Sequence, residues 1–142
     1  MKTSARNQLS GTVRAVKTGA VNDEIEIALP GGQRIVSVVT HESAASLGLV
    51  VGAAAFALVK ASSVVVATDL GTVRVSARNQ LSGTVSRIQP GTVNTEVVID
   101  IGGGASVAAI VTRESAVSLG LAAGALATAL FKASSVIVGV PR

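Results

Sequence analysis

Ser4–Val13 reads SARNQLSGTV, and Ser76–Val85 repeats it letter for letter. Sliding the chain by 72 residues, the offset of Ser4 from Ser76, also aligns Gly19 with Gly91, Asn22 with Asn94, Thr40 with Thr112, Gly52 with Gly124 and Lys60 with Lys132. No gap is needed, and more than half of the paired positions are identical, so the chain is a tandem duplication. The segment Thr68-Asp69-Leu70-Gly71-Thr72 has turn chemistry and no partner motif, which makes residues 68–74 the expected linker between a first domain, 1–67, and a second, 75–142.

Within each half, short apolar runs alternate with turn signals. LSGTVRAV is followed by KTGAVND, then EIEIAL, then PGG, then QRIVSVVT. EIEIAL alternates polar and apolar like a half-buried strand, and Pro30-Gly31-Gly32 is a hairpin turn. At THESAASLGL the period changes: Thr40 is a helix N-cap, Glu42 sits in the first turn where the helix dipole favours a carboxylate, and Gly48 is the stop. AAAFALVKASSVVVAT reads as two strands broken near Lys60–Ser63. The expected fold is mainly β, two tandem OB-like small barrels, each of about five strands with one short helix.

The 142 residues are 49% hydrophobic and 14% charged, which says that the chain folds. With no Trp or Tyr and only Phe56 and Phe131, its core must be built from Val, Ile, Leu and Ala. Halves of this size bury little surface alone, so they are expected to lean on each other and on other chains. The net charge of +4 suits an anionic partner, but no basic run accompanies it. The absence of cysteine excludes disulfides, thiolate metal sites and thiol nucleophiles. MKTSARNQ has no apolar run behind its charge, and the uncharged stretches Ser43–Val59 and Ser115–Phe131 carry glycines and fall short of the roughly 20 residues that span a bilayer. The expectation is a cytoplasmic protein without a membrane segment. Nor is an enzyme expected. His41, the single histidine, becomes Arg113 in the second half and reads as a solvated helix residue; only Glu24 with Glu96 and Glu42 with Glu114 recur among the acids.

The polar residues that do recur are donors and cations: Ser4, Arg6, Asn7, Gly19, Asn22, Thr40, Lys60, Ser62 and Ser63, with Ser76, Arg78, Asn79, Gly91, Asn94, Thr112, Lys132, Ser134 and Ser135. A tetrahedral oxyanion needs that inventory, because its oxygens accept hydrogen bonds that hydroxyls, backbone N–H groups and a lysine supply. Hydrogen bonds to charged groups contribute about 1.5–3 kcal/mol each, so six or seven would hold a dehydrated dianion. The same residues also make turns and caps, and Arg6 could pair with Glu24 or Glu42.

SARNQLSGTV, followed by GxVNxE, VTxESAxSLGL and a closing KASSV, resembles the molybdate-binding Mop family, and the duplication resembles its two-domain molbindin members. The resemblance covers both halves in the same order. It implies small OB-like domains, six of them assembled as a homotrimer of this chain, storing molybdate or tungstate inside the cell, with no catalytic activity, cofactor or bare metal ion. The same domain serves as an oxyanion sensor in a transcription regulator and a transporter ATPase, so a regulatory subunit acting on a protein partner is the alternative. An OB-type nucleic-acid binder is disfavoured by the lack of an aromatic stacking platform.

By resemblance, one site type between domains of different chains takes Ser4, Ala5, Arg6, Thr40, Lys60, Ala61 and Ser62, and in the second half Ser76, Ala77, Arg78, Thr112, Lys132, Ala133 and Ser134. The hydroxyls would donate, the lysines would supply charge, Ala5 and Ala61 would offer backbone N–H groups, and each arginine would offer its side chain or only its N–H. A second type near a threefold axis takes Gly19, Ala20, Val21 and Asn22, and Gly91, Thr92, Val93 and Asn94. Ala20 becomes Thr92 and Lys17 becomes Gln89, so the two ends are expected to differ in affinity.

Overall fold

The structure, a computed structural model, describes every residue from Met1 to Arg142. The first half forms β1 (Asn7–Lys17), β2 (Asn22–Ala28), β3 (Arg34–Thr40), the helix α1 (His41–Leu47), β4 (Ala54–Val59), a 3-10 turn at Ala61–Ser63 and β5 (Val65–Ala67). The second half repeats the order as β6 (Asn79–Pro90), β7 (Asn94–Gly102), β8 (Ala105–Thr112), α2 (Arg113–Ser118), β9 (Leu126–Phe131), a 3-10 turn at Ala133–Ser135 and β10 (Ile137–Gly139). Five strands and one short helix per half match the expectation. Thr40 and Thr112 cap their helices, each accepting the N–H of a serine three residues on, and Gly48 closes α1 at φ 64°.

Both sheets are antiparallel. The first runs β10-β4-β1-β2-β3 and the second β5-β9-β6-β7-β8, so each takes its edge strand from the other half. Val65–Ala67 pairs with Leu130–Thr128, and Ile137–Gly139 with Leu58–Phe56. Which sheet a three-residue strand joins is not written in its pattern, since its alternation suits either partner equally. The exchange is matched in volume. Phe56 lies opposite Gly139, where any Cβ would overlap the ring, while the equivalent rung pairs Thr128 with Ala67.

β1 serves two partners. Asn7–Thr12 pairs with β4, and Thr12–Lys17 pairs with β2, with a register shift between Val13 and Ala15 that bends the strand. β6 does the same between Val85 and Arg87. At the bend Gly11 and Gly83 carry no side chain because a Cβ would overlap the carbonyl oxygen of Ala28 or Asp100. Leu9 and Val13 point into the core, as do Leu81 and Val85. A single cluster of buried Val, Ile, Leu and Ala runs through both halves, joined by Phe131, while Phe56 is half-buried. Each such aliphatic side chain contributes about 1.5–3 kcal/mol on burial. The hairpin tips meet across the pseudo-twofold: a Cβ on Gly31 would lie 2.9 Å from Gly103 Cα.

Candidate functional site

Two buried asparagines organise the junction of the halves. Asn79 Nδ2 donates to the Val36 carbonyl, and its Oδ1 accepts the Val36 N–H, both at 2.8 Å. Asn7 repeats this with Ala108, at 2.8 Å and 2.7 Å, and donates also to the Val59 carbonyl. Each carboxamide thereby acts as a short extra strand on the free edge of β3 or β8. One residue earlier, Arg78 holds Glu24 through two bonds of 2.8 Å, and Arg6 holds Glu96 at 2.7 Å. Arg6 therefore pairs across the halves, in place of the expected Glu24 or Glu42. The sequence could not show this, because Glu24 and Glu96 are equivalent positions and only the interlocked fold selects between them. Glu24 is half-buried and bridged, no longer just an exposed strand position.

These contacts set a direction. Val36 lies opposite Glu26, Val38 opposite Glu24 and Thr40 opposite Asn22, so the segment running back from Asn79 through Arg78 to Ala77 and Ser76 heads along β3 toward Thr40. The 3-10 turn Ala133–Ser135 packs on the same strand, and Ser37 Oγ donates to the Val136 carbonyl at 2.9 Å. Ser76, Ala77 and Lys132 line one open recess of about 340 Å³, with Ser63 and Val65 of the first half on its wall. In the first half, Asn7 faces Val59 on the last rung of the β1–β4 ladder, which sets Ser4–Arg6 beside Lys60–Ser62. The 3-10 turn Ala61–Ser63 packs on β8, whose far end is Thr112.

The strand that ends at Thr40 therefore packs on the 3-10 turn of the second half, and the strand that ends at Thr112 on that of the first. Thr40 lies at the opposite end of its own sheet from Ser4 and Lys60, beside Asn22. Lys60 and Lys132 are exposed, and neither forms an ion pair. Ala61 and Ala133 are buried, whereas Ser62 and Ser134 are exposed. The threonine hydroxyls are already committed: Thr40 Oγ1 accepts the Ser43 N–H and donates to Ser43 Oγ at 2.7 Å, and Thr112 treats Ser115 identically. The hydroxyl protons left free at these caps are those of Ser43 and Ser115. Sequence reasoning passed over both, although each recurs three residues after its threonine.

The turns Gly19–Asn22 and Gly91–Asn94 join the first two strands of each half. The His41 N–H donates to the Val21 carbonyl at 2.8 Å, and the Arg113 N–H to that of Val93 at 3.0 Å. Lys17, Gly19, Asn22 and Asp23 line a recess of about 260 Å³ at the first turn. Asp23 is buried, accepts the Gly19 N–H at 3.1 Å and lies 3.0 Å from His41 Nδ1. Burial pushes its carboxyl up, but the Gly19 N–H, then the His41 hydrogen bond and charge, outweigh this and hold it below its ordinary value. His41 is thus a solvated helix residue with one anchored nitrogen. Asp23 escaped the sequence reading because its counterpart is Thr95 and it does not recur.

The Arg78 hydrogen bond, opposed by burial and aided by the charges of Arg78 and Lys17, holds the Glu24 carboxyl below its ordinary value. A carboxylate depressed in the fold contributes stability that is complete above its unfolded value and is lost as pH falls through the native one. Glu24→Gln is expected to flatten the acid limb of the stability profile while changing stability near neutrality by less than about 1 kcal/mol, the scale of an exposed pair. Urea midpoints between pH 3 and 7 check this; parallel acid limbs would refute it.

The TOBE domain family matches residues 3–66 and again 75–138. The chain belongs to the TOBE-domain family, as a tandem member. Two of its relatives, MopA and MopB of Rhodobacter capsulatus, carry the Mop name. It is 48% identical, over 99% of its length, to the molybdenum-pterin-binding protein MopA of Rhodobacter capsulatus, and 45% identical, over its whole length, to the molybdenum transport protein ModE of Herbaspirillum seropedicae. It spans about half of those relatives, 53% of each. A crystal structure of the cytoplasmic molybdate-binding protein ModG with molybdate bound superposes with a TM-score of 0.96 at 51% identity, over 99% of this chain and 100% of that one. A further relative, 36% identical over 97% of this chain, is the DNA-binding transcriptional dual regulator ModE of Escherichia coli, and no enzyme family is indicated. No helix of this TOBE tandem is long and apolar enough to cross a membrane.

Proposed function

We propose that this chain binds molybdate or tungstate, without catalysis, at the two places where Ser4–Arg6 with Lys60–Ser62, and Ser76–Arg78 with Lys132–Ser134, close against the other half. The observation that carries the reading is the recess in which an unpaired Lys132 faces Ser76 and Ala77, residues more than fifty positions away in sequence. A cation free of carboxylates, exposed hydroxyls and backbone N–H groups form an environment for an anion that only accepts hydrogen bonds. Because Arg6 and Arg78 are spent on glutamates, their backbone N–H groups are the donors left for the ligand. The match to ModG supports molybdate as that ligand.

Storage inside the cell by a homotrimer, with further anions at the Gly19–Asn22 and Gly91–Asn94 turns, is the finer reading. Exposed Val21, Val93, Val65 and Ile137 supply apolar surface for contact between chains. A second reading, an oxyanion-sensing part of a regulator, is favoured by the match of nearly the whole chain to half of the transcriptional regulator ModE of Escherichia coli. Calorimetric titration with molybdate, with sulfate as competitor and the assembly mass measured alongside, tests the proposal. Saturation above two anions per chain on a trimer, undisturbed by sulfate, is the expected result for storage. An anion-dependent protein partner would favour sensing. No uptake of molybdate or tungstate would overturn oxyanion binding altogether.

A further inference from the structure

The two β1–β2-type turns share a backbone course but not a charge. Gly19 and Gly91 approach their own turns alike, since a Cβ on either would overlap the carbonyl oxygen of Asn22 or Asn94. His41 and Arg113 begin equivalent helices and make equivalent N–H bonds to Val21 and Val93. The difference lies in what is buried behind the turn. In the first half it is Asp23, 4% exposed; in the second it is Thr95, 2% exposed. The bond that Asp23 Oδ1 accepts from the Gly19 N–H has no counterpart at Thr95.

We propose that the Asp23 carboxylate, held between the Gly19 N–H and His41, is a resident anion that keeps an external oxyanion out of the first turn, while the Gly91–Asn94 turn stays open to one. The inference rests on the oxyanion reading above and narrows its finer form: of the two glycine turns, only the second takes an anion in the unaltered chain. A carboxylate oxygen takes the same kind of donor that an oxyanion would take, and it is tethered, so it meets no entropic cost of capture. It also opposes a dianion by charge at close range.

The surroundings do not cancel this effect. The recess beside Asp23 is lined by Lys17 on β1, Glu24 on β2 and Val38 on β3, His41 on α1 contacts the carboxylate, Glu42 follows His41 with Glu114 as its counterpart in the second half, and β4 carries no charge. Glu24 is neutralised by Arg78. Lys17 and Asp23 together contribute no net charge, whereas the equivalent Gln89 and Thr95 contribute none and Arg113 adds one positive charge at the second turn. The second turn is therefore the more positive, and it has no internal competitor.

Three variants of the full chain test the inference by molybdate calorimetry at low salt, with amide resonances of Gly19 and Gly91 followed in the same titration. Asp23→Thr installs the residue that the fold already buries at the equivalent place, and Asp23→Asn keeps the shape while removing the charge. Thr95→Asp does the reverse. The expected result is that molybdate moves the Gly91 amide and not the Gly19 amide in the unaltered chain. The Asp23 variants gain uptake at the first turn, with affinity there rising about tenfold or more. Thr95→Asp loses the response at Gly91. Unchanged titrations in all three variants, on a protein that does bind molybdate, would overturn the inference and leave oxyanion binding standing. A chain that takes up no molybdate in any form would overturn both.

Discussion

Asn79→Ala is expected to lower the stability of the chain by about 2–4 kcal/mol, although it removes no apolar surface and no charge. The carboxamide bridges the N–H and the carbonyl of Val36, a buried residue on the edge strand β3. Truncation strands both groups, and each buried backbone group left unpaired costs about 1–3 kcal/mol. Water entering the gap would recover part of that, which sets the lower bound. Asn7→Ala, at the equivalent junction, is expected to cost as much or more, because Asn7 also binds the Val59 carbonyl. The measurement is a urea unfolding midpoint, with Gln8→Ala as a neighbouring exposed control expected within about 0.5 kcal/mol of the parent. If the asparagine variants fell with the control, the halves would be held together by apolar packing alone. The same bond accounts for the twice-kept run. In SARNQLSGTV the arginine and asparagine reach into the other half, Leu9 and Val13 fill the core, and Gly11 makes room for Ala28.

The architecture within each half was legible because its signals are local. EIEIAL alternates with the period of a strand facing a core, Thr40 and Gly48 bracket a helix, and the break at Lys60–Ser63 is a 3-10 turn. What crosses between the halves was hidden by the duplication itself. Glu24 and Glu96 occupy equivalent positions, so their exchange of arginines leaves no mark in the sequence, and the short last strands have patterns that fit either sheet. The recurring donors could be named, but the packing of β3, which ends at Thr40, on the second half's 3-10 turn left no mark in the sequence. Asp23 was hidden for the opposite reason. Recurrence was the filter, and a residue that makes the halves differ cannot pass it.

Replacing Lys60 and Lys132 together by alanine is expected to weaken molybdate binding by about 10- to 150-fold at each serine-lysine group, the equivalent of losing one charge-assisted hydrogen bond of about 1.5–3 kcal/mol. The fold should tolerate the change. Both side chains are exposed, neither has an ion-pair partner, and each stands just before the 3-10 turn, offering it no side-chain cap. Unfolding midpoints are therefore expected to stay within about 0.5 kcal/mol of the parent, so lost binding could not be ascribed to lost structure. Lys→Arg at both positions separates charge from shape, since a guanidinium keeps the charge but spreads it over a planar fork that fits a compact ammonium site poorly. Partial recovery would make charge the dominant contribution, and none would make the point-like ammonium essential. If the double alanine variant bound molybdate with unchanged affinity and stoichiometry, the anion would have to sit elsewhere. The glycine turns would then be the remaining place with backbone donors, and their inequality at Asp23 and Thr95 would govern the whole capacity of the chain.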